Sequence, residues 1–190
     1  MKKIMSRKEI DKKEQRNKLI IGITMVVLMV SSIIGYAFFS ADSPSSKKIR
    51  YNNIDFFFFE DGRWHFILNN KEFATTFNPE EVKDIEISGD FSLQEYSNLP
   101  FYIHFENNKQ IEQEILYNLG GYFQRINNFC FQNENCTWVE KNCSEDNLLI
   151  IREFQNSSVI KEDKCIYLYY NETEGLKIAD SFIFKLLEIV

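Results

Sequence analysis

From Leu19 to Phe39 the chain reads "LIIGITMVVLMVSSIIGYAFF", about 21 residues without a charge. Wound as a helix at 1.5 Å per residue, such a run covers roughly 30 Å of hydrocarbon, whereas a buried core helix is usually shorter. The pattern predicts a transmembrane helix over 19–39. Ser31 and Gly35 form a small-xxx-small pair that would let two such helices approach.

Beyond Tyr51 the pattern breaks into short runs. "IDFFFFEDGRWHFILNNKEFATT" carries turn signals at Asp61-Gly62 and Asn69-Asn70 between three aromatic and branched stretches, which predicts an antiparallel meander. With two-residue turns at both places, Phe59 faces Trp64 and Thr75, and Phe57 faces Phe66 and Phe73. Phe56, Phe58, His65, Ile67 and Ala74 then share the other face. Two apolar faces imply a sheet covered on both sides, or one face kept for a membrane or a partner. His65 falls beside Phe58 in this register, and a tucked structural histidine fits it better than a catalytic one.

"NPEEV" reads as a capped helical turn with Pro79 at its first position, followed by a strand at Ile85 to Ile87 and by loop through "SGDFSLQEYSNLP". "PFYIHF" is a strand with Tyr102 and His104 on one side. In "KQIEQEILYNLGGYFQRINNFCF", Ile111, Ile115, Leu119, Tyr122, Ile126 and Phe129 recur at helical spacing, with Gly120-Gly121 as a point of weakness. "NLLIIREF", "SVIK" and "CIYLYY" read as strands, and "EGLKIADSFIFKLLEIV" as a closing helix. Strands and helices mixed without regular alternation predict an α+β domain, an antiparallel sheet with packed helices behind the transmembrane segment.

Charge sets the direction of that segment. Residues 1–18 hold eight Lys/Arg against three Asp/Glu, and such a flank stays cytoplasmic. The division expected is a basic cytoplasmic tail (1–18), the span (19–39), a polar linker (40–50) and an extracytoplasmic α+β domain (51–190), a single-pass type II protein of the cell membrane. Cleavage as a secretory signal near Ala37 or Ala41 is the competing outcome. Residues 51–190 carry 11 Lys/Arg against 24 Asp/Glu, a net −13, which lacks the basic footprint that nucleic acid requires.

Cysteines outside the cytoplasm meet oxidising conditions, so Cys130, Cys136, Cys143 and Cys165 read as disulfide staples. Metal sites favour paired C-x-x-C or Cys/His ligands, and a thioredoxin-like site needs C-x-x-C opening a helix; neither pattern occurs. Of the three pairings, Cys130–Cys136 and Cys143–Cys165 are favoured: if "NLLIIREF" and "CIYLYY" lie side by side, Cys165 falls near Leu148, and "SEDN" returns Cys143 to it. Four N-x-[ST] sequons, at Asn135, Asn142, Asn156 and Asn171, are glycosylation candidates.

In "YNNIDFFFFEDGRWHFILNN", "NPEEV", the late cysteines and "ADSFIFKLL", the chain resembles small single-pass envelope proteins of archaea with reduced genomes. The resemblance implies the same topology and no catalytic residue. No G-x-S-x-G, H-E-x-x-H, C-x-x-C or P-loop pattern is present. The functional expectation is a non-enzymatic, membrane-anchored interaction domain without a cofactor, binding envelope proteins or copies of itself. The alternative is an extracytoplasmic thiol oxidoreductase or redox-assembly factor using two of the cysteines.

Overall fold

The structure, a computed structural model, describes residues 17–29, 47–105, 108–131 and 137–190. The chain divides into two units, Met1–Ser46 and Lys47–Val190. In the first, residues 17–29 form helix α1, with exposed side chains. Thirteen residues cover only about 20 Å, short of the roughly 30 Å of a bilayer core. Among the described residues no helix is long and apolar enough to cross a membrane. The expected span over 19–39 is corrected accordingly; its second half, with Ser31 and Gly35, lies outside the described residues.

The second unit starts with β1 (Lys48–Tyr51), inside the stretch expected to be linker. β1, β2 (Ile54–Phe58), β3 (Trp64–Leu68) and β4 (Lys71–Thr75) form an antiparallel four-stranded sheet in chain order. Two of its three turns are Asn-Asn pairs, Asn52-Asn53 and Asn69-Asn70, all four residues at positive φ. Such φ values suit two-residue hairpins of the primed type, and asparagine tolerates them better than most side chains.

The middle turn differs from expectation by one residue. Gly62 adopts φ +77°, Phe59 N–H donates to the Arg63 carbonyl (3.0 Å) and Gly62 N–H to the Phe59 carbonyl (3.1 Å), so the loop holds three residues. Phe58, not Phe59, faces Trp64. A one-residue slip exchanges the faces of a strand. Phe56 and Phe58 therefore join Trp64, Phe66 and Phe73 on the core side, with Phe56 and Phe66 ring centroids 4.6 Å apart.

After β4, Asn78 Oδ1 accepts from the Glu80 and Glu81 amides while Glu81 returns a carboxylate oxygen to the Asn78 N–H (2.9 Å), the reciprocal cap that "NPEE" implies. β5 (Glu86–Ser88) follows, and the stretch read as loop contains a short helix, α2 (Leu93–Tyr96). β6 (Pro100–Phe105) leads into α3 (Lys109–Leu119), whose first turn Asn108 caps through Gln110 N–H and Ile111 N–H. The helix stops where the two glycines stand. Gly120–Tyr122 is a 3₁₀ turn, and the residues expected to continue the helix form β7 (Arg125–Cys130).

β8 (Val139–Glu140), β9 (Leu148–Glu153), β10 (Ser158–Glu162), β11 (Cys165–Tyr170) and α4 (Gly175–Leu186) complete the chain. The second sheet has seven strands in the order β5-β10-β11-β9-β6-β7-β8. Of its pairings only β10–β11 is antiparallel. The expected antiparallel sheet is thus correct for β1–β4 and wrong here: an 11-residue helix between β6 and β7 is the crossover that parallel neighbours need.

α4 is buried almost all round, the state of a helix enclosed by protein. Its Phe184 ring meets Phe56 and Phe66 of the four-stranded sheet, and its other apolar side chains share one core with Leu149, Ile151, Ile166 and Leu168 of the seven-stranded one. Each fully buried Phe or Ile there contributes about 2 kcal/mol of transfer free energy. A smaller cluster of Tyr102, Phe129, Leu148, Ile150 and Cys165 occupies the other face of the large sheet.

Candidate binding groove

The outer face of the four-stranded sheet is where the slipped register matters. Phe57, Phe59, His65, Ile67 and Glu72, with Asn53 and Asp55, line a groove of about 560 Å³. Phe59 is 50% exposed and Ile67 69%. An apolar surface carried outward by β-strands that also build the core is a costly arrangement to leave uncovered.

His65 sits between two carboxylates. Its Nε2 lies 2.8 Å from Asp61 Oδ2 and its Nδ1 3.0 Å from Glu72 Oε1, and its ring meets the Phe59 ring at 4.7 Å. Asp61 is held in turn by the Arg63 N–H on its other oxygen (3.0 Å). Partial burial works against a charged imidazole, but the bonds to Asp61 and Glu72 outweigh it, and the His65 pKa is raised above its ordinary value. The bond to His65 likewise holds Asp61 below the ordinary carboxylate range. A carboxylate on each ring nitrogen favours the protonated imidazole, in which both nitrogens donate, over a free base.

A raised histidine pKa stabilises the fold fully below the unfolded value of about 6.5, and that stabilisation is lost as pH rises through the folded value. The His65 imidazole, followed by NMR, is expected to titrate above 6.5. His65→Gln should flatten the corresponding loss of stability between mildly acidic and alkaline pH. A titration at or below the unfolded value would contradict the clamp.

Beneath the same hairpin lies a second ionic cluster. Arg63 Nη2 donates to Glu114 Oε1 of α3 (2.6 Å) and to the Ala74 carbonyl, and its guanidinium stacks over Tyr117 at 4.8 Å. Asp180 of α4, fully buried, accepts from the Phe77 N–H through Oδ2 (2.8 Å) and abuts Glu114. Burial, then the Glu114 charge, pushes the Asp180 pKa well up. Two buried carboxylates cannot satisfy each other, and Asp180 Oδ1 has no donor of its own. Burial and the adjacent Glu114 charge both favour the neutral, protonated form of Asp180. The Asn118 side chain completes the seam, its Oδ1 accepting from Ala74 N–H and its Nδ2 donating to the Ala74 carbonyl, each at 2.9 Å.

The cysteines are distant from this groove in the sequence and serve the other sheet. Cys143 and Cys165 are disulfide-bonded, and Cys165 stands opposite Leu148 in the parallel β9–β11 pair, where the sequence placed it. Lys164 N–H donates to the Cys143 carbonyl and Leu148 N–H to that of Lys164, so the bond joins segments already hydrogen-bonded. Cys130 is also disulfide-bonded, Cys136 lies outside the described residues, and no described cysteine is free. His104 contacts the Phe129 carbonyl (3.3 Å) and packs on Phe129 and Phe131, a structural role.

Among the sequons, Asn135 lies outside the described residues. Asn142 Oδ1 accepts from Ser144 and Glu145, Asn171 is bonded to Glu174 and Thr173, and Asn156 is exposed in the β9–β10 turn. Nothing in the chain's wording flagged Asp61 or Glu72 as partners of His65. The correct Asn69-Asn70 turn already places Glu72 diagonally across from it on the same face.

No family model, no curated protein and no solved structure matches this chain.

Proposed function

We propose that residues 47–190 form an extracytoplasmic, disulfide-stapled binding domain without enzymatic activity, and that the groove on the outer face of the four-stranded sheet receives a protein partner. The exposed Phe59 and Ile67 beside a salt-bridged His65 carry this reading. Apolar contact area next to fixed charge is the composition of a protein-binding patch, the rings giving area and the charges giving register. The disulfides support an oxidising compartment. Full burial of Cys165 supports a staple over a thiol oxidoreductase, because an attacking thiolate must reach the sulfur.

A photo-crosslinking side chain at Ile67 or Phe59, in cells that make the protein, is expected to yield one discrete protein adduct. Gln113, exposed on α3, is the control and should yield none. Adducts at Gln113 equal to those at Ile67, or none at any position, would refute the assignment of the groove.

A further inference from the structure

We propose that Asn156 is an N-glycan acceptor and that the Phe154 ring is the surface on which the first sugar packs. The proposal rests on the extracytoplasmic reading. Asn156 begins the sequon Asn156-Ser157-Ser158 in the turn between β9 and β10 and is exposed; its side chain makes no hydrogen bond among the described residues. Its neighbour Ser157 is pinned instead, its hydroxyl donating to Glu174 (2.6 Å) and accepting from the Asn171 N–H (3.2 Å). The turn is thereby anchored at one residue while the acceptor amide stays exposed and unengaged among the described residues.

Two residues before the acceptor, Phe154 is 60% exposed, with its N–H bonded to the Tyr170 carbonyl (2.8 Å) and its ring 5.6 Å from that of Tyr169. Tyr169 in turn lies parallel to Tyr167 at 5.8 Å. A half-bare aromatic ring, braced from behind and positioned beside an acceptor, is a site where the C–H face of a pyranose replaces water and gains dispersion contact. The other described sequons lack this combination. In Asn171-Glu172-Thr173 the acceptor amide already donates to Glu174 (2.7 Å), and the Thr173 hydroxyl is spent on Asn171 Oδ1 (3.0 Å). In Asn142-Cys143-Ser144 the middle residue is fixed by its disulfide, and the serine hydroxyl is bonded to Asn142 Oδ1 at 2.6 Å.

The step requires a lipid-pyrophosphate-linked oligosaccharide and a transferase. Asn156 Nδ2 forms a bond to the anomeric carbon, the bond from that carbon to the pyrophosphate oxygen breaks, and the lipid pyrophosphate leaves with the electron pair. The amide gives up one proton to solvent through the transferase.

Purified, oxidised full-length chain incubated with a single-subunit oligosaccharyltransferase and such a donor, then mapped by glycopeptide mass spectrometry, tests the acceptor. Asn156 is expected to be filled at least several-fold more than Asn142 or Asn171. Occupancy at Asn156 no higher than at Asn171 would overturn the assignment. The glycosylated chain should also melt above the unmodified one, an increment lost in Phe154→Ala and kept in Phe154→Tyr. An equal increment in Phe154→Ala would overturn the packing. Because the reaction uses purified chain, its failure is separate from failure of the compartment, which is read by alkylation of free thiols in the native source.

Discussion

Replacing Cys143 and Cys165 together by serine lowers the melting temperature by roughly 10 °C, the equivalent of about 3 kcal/mol. The bond spans a sequence separation of 22, and on the chain-entropy account a loop of that size restricts the unfolded chain by about this amount. The native state loses little geometry of its own, since Lys164 and Leu148 still bond to the backbone around the bridge. It does acquire a buried hydroxyl at position 165, where the sulfur is fully enclosed among Tyr102, Leu148 and Ile150. Cys165→Ala in the double replacement separates the two effects, because alanine removes the crosslink without the polar atom. Reversible thermal unfolding followed by circular dichroism measures both. A double mutant that melts with the parent would show that the crosslink restrains nothing the hydrogen bonds do not already restrain.

Arg63→Ala should cost about 3 kcal/mol, more than any exposed ion pair of this domain. The side chain of Glu114 is 8% exposed and has Arg63 as its cation at 2.6 Å; removing the guanidinium leaves a carboxylate buried against Asp180. Most of the penalty is therefore that of the stranded charge, so Arg63→Ala with Glu114→Gln should recover more than half of it. The pH dependence carries a second signature. Asp180 has a raised folded pKa, so the stability it gives as a neutral acid is fully present below its unfolded value and is lost as pH rises through the folded one. Asp180→Asn keeps an acceptor for the Phe77 N–H and a donor toward Glu114 without an ionisable proton, and should flatten the loss on the alkaline side. Urea unfolding at several pH values reads all three variants. A parallel decline in Asp180→Asn and the parent would assign the pH dependence elsewhere.

Much of the domain was legible from local signals. Asn69-Asn70 set the β3–β4 register correctly, "NPEE" announced a cap, and placing "CIYLYY" beside "NLLIIREF" led directly to Cys143–Cys165. The same Asn-Asn signal at 52–53 joins β1 to β2, but β1 falls mostly in the polar stretch before Tyr51, where an isolated Ile49 is too short an apolar pattern to mark a strand. The stretch after Gly120-Gly121 misled for a physical reason. Tyr122, Ile126 and Phe129 continue the helical period of α3, yet two glycines make continuation expensive, and pairing Phe101 with Ile126 beside a waiting β6 is worth more. Asp61-Gly62 misled through a single residue of loop length, which turned Phe57 and Phe59 outward and made the groove. The Arg63–Glu114–Asp180 cluster was beyond reach, since its members come from a turn and two helices that only the complete packing brings together. The long apolar run of 19–39 predicts a span, but among the described residues no helix is long and apolar enough to be one.

Asn118 holds a consequence for how copies of the domain meet. At Ala74 its amide offers the hydrogen-bonding pattern of a peptide unit from a fifth strand, yet it comes from α3 and ends there. An incoming strand would find that rung of the ladder already occupied and would have to displace a buried side chain to use it. The sheet has a stopper on its β4 side, so crowding at high local concentration does not turn that edge into the template for a neighbouring domain.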